Sequence, residues 1–191
     1  MSARYAELVT EQNQGRPLPQ VALDWFGENG VPPLSLVKTP YGDYDMVLLD
    51  EVVWLPHGAF EFSRHLDRRK PDTACTILVR DRLCDPIDIV AWQAKTGRVA
   101  RWLCRAALLG EDQLFAPREA EGLRVFETPL DWLRERRAGV VVLDRRTAAP
   151  VLRDAAPLLA ANFEHGKKLQ DMLRVPPPRI LVPSSASQEA A

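Results

Sequence analysis

The apolar positions change period several times along the chain, and each change marks an element. Residues 3–10 have the spacing of a short helix, which "NQGRPLPQ" ends at Gly15, Pro17 and Pro19. "VALDWFGENG" is apolar for about two turns and stops at Gly27 and Gly30, both suited to a helix end. Residues 31–45 are punctuated by Pro and Gly and predict extended, irregular backbone. "MVLLDEVVWLP" is a β-rich run closed by Pro56, and "FEFSRHLDRRKPD" predicts a short helix that ends before Pro71.

The middle of the chain carries stronger signals. "CTILVRD" and "IDIVAWQ" are β-branched runs on either side of "RLCDP", which predicts an antiparallel hairpin. In "RVARWLCRAALLG", Val99, Trp102, Leu103 and Ala106 fall at helical spacing with Gly110 as the C′ residue; a strand at 98–103 before a shorter helix is the alternative. Residues 123–127 and 139–144 read as strands joined by a helix over 129–137, hence a right-handed βαβ crossover with parallel strands. Further on, Leu158, Leu159, Asn162, Phe163, Gly166, Leu169 and Leu173 trace one apolar helix face. The echo of "TAAPVL" in "DAAPLL" predicts two helix starts with Thr147 and Asp154 as N-caps.

These elements sum to an α/β (or α+β) fold: a small mixed sheet with an antiparallel hairpin and a βαβ unit, and a C-terminal helix packed on it. One globular domain over 1–175 accommodates them, with 1–70 as an N-terminal lobe and 73–175 as the hairpin, crossover and helix. "PPPRILVPSSASQEAA" reads as a Pro-rich or disordered tail over 176–191.

Composition narrows the function classes. The formal charge is −1, so any nucleic-acid binding must come from a local patch rather than from bulk basicity. No apolar run approaches the ~18 residues of a membrane span, and no secretory leader is evident. The three cysteines, Cys75, Cys84 and Cys104, include no close pair of the kind that holds zinc, and Cys104 is expected in the core. A reduced, cytoplasmic compartment is the natural expectation. "MVLLDE" imitates the strand-plus-acids of a nucleotidase, but no G-x-x-x-x-G-K-[ST] loop accompanies it.

The chemistry concentrates in "VFETPLDWLRERRAGVVVLD". Thr128, Pro129 and Asp131 have the order of a helix N-terminus: cap, N1 proline, first-turn acid. Asp131 is therefore explained as punctuation. Glu127 and Asp144 end the two strands, and in a parallel unit those ends share the edge where ligands bind. Arg145 and Arg146 follow directly, adding guanidiniums suited to phosphate. Arg98, Arg101 and Arg105 would form a basic stripe on a helical 98–110 and are the other candidates for nucleic-acid contacts, with Arg134, Arg136 and Arg137 farther away. Of the five tryptophans, Trp102 and Trp132 have the apolar periodic neighbours of core residues.

The order hairpin, "KTGRVARWL", "QLFAP", "GLRVFETPLDWL" over about residues 73–144 resembles the Toprim region of bacterial-type primases. In that resemblance Glu127 matches the family's acid–base glutamate and Asp131 its following aspartate, while Thr128 replaces the intervening glycine. The family's later Asp-x-Asp magnesium pair has no counterpart: "LDRRTA" comes early and has Arg146 where the second acid would stand. The resemblance thus implies a degenerate relative without the metal chemistry.

The leading expectation is a non-catalytic protein that binds nucleic acid, DNA above all, or a protein partner, in a replication module of a mobile element, with no cofactor. One alternative is a magnesium-dependent phosphotransfer or nuclease-type enzyme using Glu127 and Asp144 (Asp131 as a third candidate), with further acids from Asp50, Glu51 or Asp88. The other is a purely structural or scaffolding subunit.

Overall fold

A computed structural model describes residues 3–37, 45–66, 70–115, 122–155 and 157–174. The predicted tail and most of the irregular stretch after Val37 lie outside the described residues. Helix α1 (Ala3–Asn13) leads into a two-residue strand, β1 (Arg16–Pro17), and helix α2 (Gln20–Glu28). Strands β2 (Leu48–Trp54), β3 (Phe60–Phe62), β4 (Asp72–Arg80), β5 (Pro86–Gln93) and β6 (Arg98–Arg101) follow. The remainder is β7 (Leu108–Leu109), β8 (Leu123–Phe126), α3 (Pro129–Arg134), β9 (Val140–Val142), α4 (Arg145–Arg153), β10 (Leu158–Ala160) and α5 (Phe163–Leu173).

The fold class is α/β, and the hairpin and the βαβ unit fall in two separate sheets. In the first sheet the order is β1-β2-β4-β5-β6, with β3 also on β2, and all pairs are antiparallel. Its centre is the predicted hairpin, with Ile77 opposite Val90. The second sheet runs β10-β8-β9-β7; β10, β8 and β9 are parallel, and β7 is antiparallel to β9.

Strand alternation divides the core into layers. Cys75, Ile77 and Val79 of β4 face Phe26 of α2, Trp132 and Leu133 of α3, and Phe126 and Val141 of the second sheet. Ala74 and Leu78 point the other way, toward Leu8 of α1 and toward Phe60 and Phe62. On the far side of the second sheet, Val125 and Val140 meet Ala148 and Leu152 of α4 and Leu169 of α5. Burial on both faces explains why β4 reads as a continuous apolar run. Each fully buried side chain of this size contributes about 1.5–3 kcal/mol. Where α3 turns into β9, Gly139 (φ 144°) is required: a Cβ there would stand 2.5 Å from the Arg124 carbonyl, and the Gly139 carbonyl accepts the Trp132 indole N–H at 2.9 Å.

Five expectations are corrected. Residues 98–101 form strand β6 and not the first turn of a helix over 98–110; the strand of the alternative reading is present over these four residues, but its shorter α-helix is not. The chain that follows is held open by Asp88, which is fully buried and accepts the backbone N–H groups of Ile89, Leu103, Arg105 and Ala106 at 2.7–3.0 Å. Cys104 in that loop is exposed, with φ 53°, and not a core residue. The expected helix after Ala59 is instead β3 and a single 3-10 turn, Ser63–His65, because Phe60 and Phe62 pair with Trp54 and Val52. Leu158 and Leu159 belong to β10, paired with Leu123 and Arg124, and not to the last helix. The caps shift accordingly: Asp144 starts α4, Asp154 ends it, and Asn162 starts α5.

Candidate functional site

Three successive strands of the second sheet, β8, β9 and β10, each lead within a few residues to a polar N-cap and a helix. The caps are Thr128, Asp144 and Asn162. Because the strands are parallel, all three caps lie along one carboxyl edge. From β8 the chain crosses to β9 through α3, whose Trp132 and Leu133 enter the core between the sheets. From β9 it returns past β8 to β10 through α4, whose Ala148 and Leu152 enter the core on the opposite face. The chain leaves β8 for one face of the sheet through α3 and leaves its neighbour β10 for the other face through α5, so the gap between β8 and β10 is a topological switch point, where open α/β sheets bind ligands.

Glu127, Asn162, His165 and Lys168 meet at that gap. Lys168 Nζ lies 3.1 Å from Glu127 Oε1, and its hydrogen bond holds the Glu127 carboxyl below the ordinary glutamate range. Asn162 Oδ1 accepts the His165 N–H at 2.8 Å, and His165 Nδ1 accepts the Ala161 N–H at 3.2 Å. The latter bond leaves the neutral ring its proton on Nε2. Burial pulls the His165 pKa below that of a free imidazole; the Glu127 charge opposes this and Lys168 adds to it.

Each sequence-predicted acid at the edge has a partner. The Thr128 hydroxyl accepts the Asp131 N–H at 3.2 Å and donates to Asp131 Oδ2 at 2.6 Å, and Arg134 pairs with Asp131 Oδ1 at 2.9 Å. This is the helix-start geometry expected from the sequence. Asp144 Oδ1 accepts the N–H of Arg146 at 2.8 Å and of Thr147 at 3.4 Å, while Oδ2 accepts from Arg101 Nη2 at 2.9 Å. Burial raises the Asp144 pKa, but the Arg146 N–H, the Arg101 guanidinium and the Thr147 N–H outweigh it, and the net shift is downward.

The acids named as auxiliaries lie on the first sheet. Asp50 is gripped by Arg64 Nη1 at 2.9 and 2.8 Å, Glu51 stands 3.7 Å from Arg16, and Asp88 is committed to its four N–H donors. Among the described residues no group of three His, Cys, Asp or Glu is arranged to hold a metal ion.

The basic stripe of Arg98, Arg101 and Arg105 does not exist. On a strand, positions three apart point to opposite faces. Arg98 is exposed with its guanidinium 4.7 Å from the Trp54 ring centre. Arg101 is buried, donating to the Ala106 carbonyl at 2.8 Å and to Asp144. Arg137 is also buried and donates to the Ser35 and Asp45 carbonyls. Three other arginines lie toward the carboxyl edge. Arg105 lies two residues before Ala107, whose carbonyl accepts the N–H groups of Leu143 and Asp144. That contact brings exposed Arg105 to the edge that carries exposed Arg145 and Arg146. Among the described residues none of these three arginines forms an ion pair.

His165 and Lys168 were not singled out from sequence. Their signal is the third repetition of strand, polar cap and helix, "LLAANFEHGKK", which a continuous helical reading of Leu158 to Leu173 hides. No family model, curated protein or solved structure matches the chain. Among the described residues, no helix is long and apolar enough to cross a membrane.

Proposed function

We propose that this chain is a binding protein for nucleic acid, gripping backbone phosphates at the carboxyl edge of its parallel strands. The observation that carries the reading is the charge balance of that edge. Glu127, Asp131 and Asp144 each have a cationic partner within the protein, while Arg105, Arg145 and Arg146 are exposed and have no carboxylate partner among the described residues. Guanidiniums in that state are matched to phosphate oxygens by charge and by planar geometry. The resemblance of residues 73–144 to the primase Toprim region supports a place in a DNA replication module of a mobile element, without metal chemistry. Against the magnesium-dependent alternative, the Asp144 carboxylate is engaged by two N–H groups and a guanidinium, and Glu127 is neutralised by Lys168.

The test is fluorescence anisotropy of labelled single- and double-stranded DNA, at low and near-physiological salt, with the wild type and an Arg105→Ala/Arg145→Ala/Arg146→Ala variant. Salt-sensitive binding that the triple substitution weakens supports the reading. No binding even at low salt removes it.

A further inference from the structure

Away from that edge, a cleft of about 560 Å3 opens between α2 and one end of the first sheet. Val21, Ala22 and Trp25 line it from the helix, and Leu49, Cys75 and Trp92 from the strands. Its size falls inside the range of about 300–1,000 Å3 typical of small-molecule sites, as does its mostly apolar, aromatic lining. The cleft cannot close by letting α2 settle onto the sheet. Buried Phe26 is wedged between two indoles, edge-on to Trp25 at 5.1 Å and tilted against Trp92 at 6.0 Å. The spacer holds Trp25 partly exposed and leaves Val21 75% exposed, so apolar surface stays in contact with water beside a preformed hollow.

The electrostatics of the lining are one-sided. Lys95, in the turn after β5, is the single charged side chain among the described lining residues; it is exposed and forms no ion pair among the described residues. No carboxylate is present among the described lining residues to repel an anion. We infer that the cleft is a binding site for an amphipathic monocarboxylate, whose apolar body lies along the Trp25–Trp92 wall and whose anionic head meets Lys95. Cys75, in the wall, does not act on such a ligand as a nucleophile. Burial pushes its thiol up to about 12, so it stays protonated at neutral pH and serves as apolar surface.

The test titrates the full-length protein with decanoate, decanol and decyltrimethylammonium, by calorimetry and by tryptophan fluorescence. Decanoate is expected to saturate one site and to bind about fivefold or more tightly than decanol, with the cation weakest. Lys95→Met, at an exposed turn, is expected to bring decanoate and decanol to within about twofold of each other. Ala22→Trp and Thr73→Trp, which fill the cleft from its two walls, are expected to abolish binding of both, with circular dichroism confirming that at least one variant is folded. Absence of saturable decanoate binding to the wild type, or undiminished affinity in a folded filling variant, overturns the site. Equal affinity of the wild type for decanoate and decanol overturns the assignment of the head group. None of these outcomes depends on DNA binding at the carboxyl edge.

Discussion

Arg101 and Asp144 tie the two sheets together: Nη2 of an arginine that ends β6 donates at 2.9 Å to the carboxylate that caps α4. The pair is mostly sequestered, with the arginine side chain 8% exposed and the carboxylate 28%. Asp144→Ala removes a helix cap and strands a guanidinium, and is expected to lower stability by about 3 kcal/mol or more. Arg101→Met/Asp144→Asn, which removes both charges and keeps a capping oxygen, is expected to lose less than Asp144→Ala alone. Urea denaturation of the three proteins checks this. A double variant no more stable than Asp144→Ala would show that the pair is not what holds this corner.

Asp88 sets the course of the loop after β6. Its carboxylate serves four backbone N–H groups in the interior, so Asp88→Ala leaves several donors without an acceptor. The expected loss is about 3–5 kcal/mol. Hydrogen exchange is the sharper readout, because protection at Leu103, Arg105 and Ala106 is expected to fall before that of β4 and β5.

His165 gives stability a dependence on pH. Unfolded, the imidazole titrates near 6.5; folded, burial lowers its value against the opposing pull of Glu127, with Lys168 adding to the lowering. Between the two values the unfolded chain binds more protons, so stability rises with pH there. The contribution is complete above the unfolded value and is lost as pH falls through the folded one. A proton on Nδ1 also displaces the Ala161 N–H from its acceptor. Denaturation between about pH 5 and 8 is expected to show this slope in the wild type and a flatter one in His165→Gln. In Glu127→Gln the ring's midpoint, followed by NMR, is expected to move further down.

Binding at the carboxyl edge carries a quantitative signature. If Arg105, Arg145 and Arg146 each neutralise one phosphate, the triple alanine variant is expected to flatten the slope of log K against log salt by about 2.7 on duplex DNA. Arg98→Ala, away from that edge, is expected to leave the slope unchanged. An unchanged slope in the triple variant would move the phosphate contacts elsewhere.

What was legible in the sequence was what local chemistry decides. Thr128, Pro129 and Asp131 make a helix start from four consecutive residues, and the β-branched runs of β4, β5 and β9 need only their own composition. What was hidden depends on distant partners. The helical spacing of Val99, Trp102, Leu103 and Ala106 is real, yet the backbone N–H groups that a helix would use internally are claimed by Asp88 from another strand. Leu158–Ala160 is a strand only because Leu123–Val125 lies beside it. The candidate site was read in half for the same reason. Glu127 and Asp144 stand on the predicted edge, whereas Lys168 and His165 reach it through a strand that the apolar periodicity disguised.

The return of the chain past β8 has a consequence for synthesis. One flank of that central strand is sealed by Val140–Val142 soon after it is made, but the other waits for Leu158–Ala160. A nascent chain that has reached only α4 therefore carries an open parallel edge at Leu123–Phe126, able to recruit any strand within reach. Leu158–Ala160 then becomes the rim of the sheet in place of β8, and a chain truncated before Leu158 would keep Leu123–Phe126 as that rim.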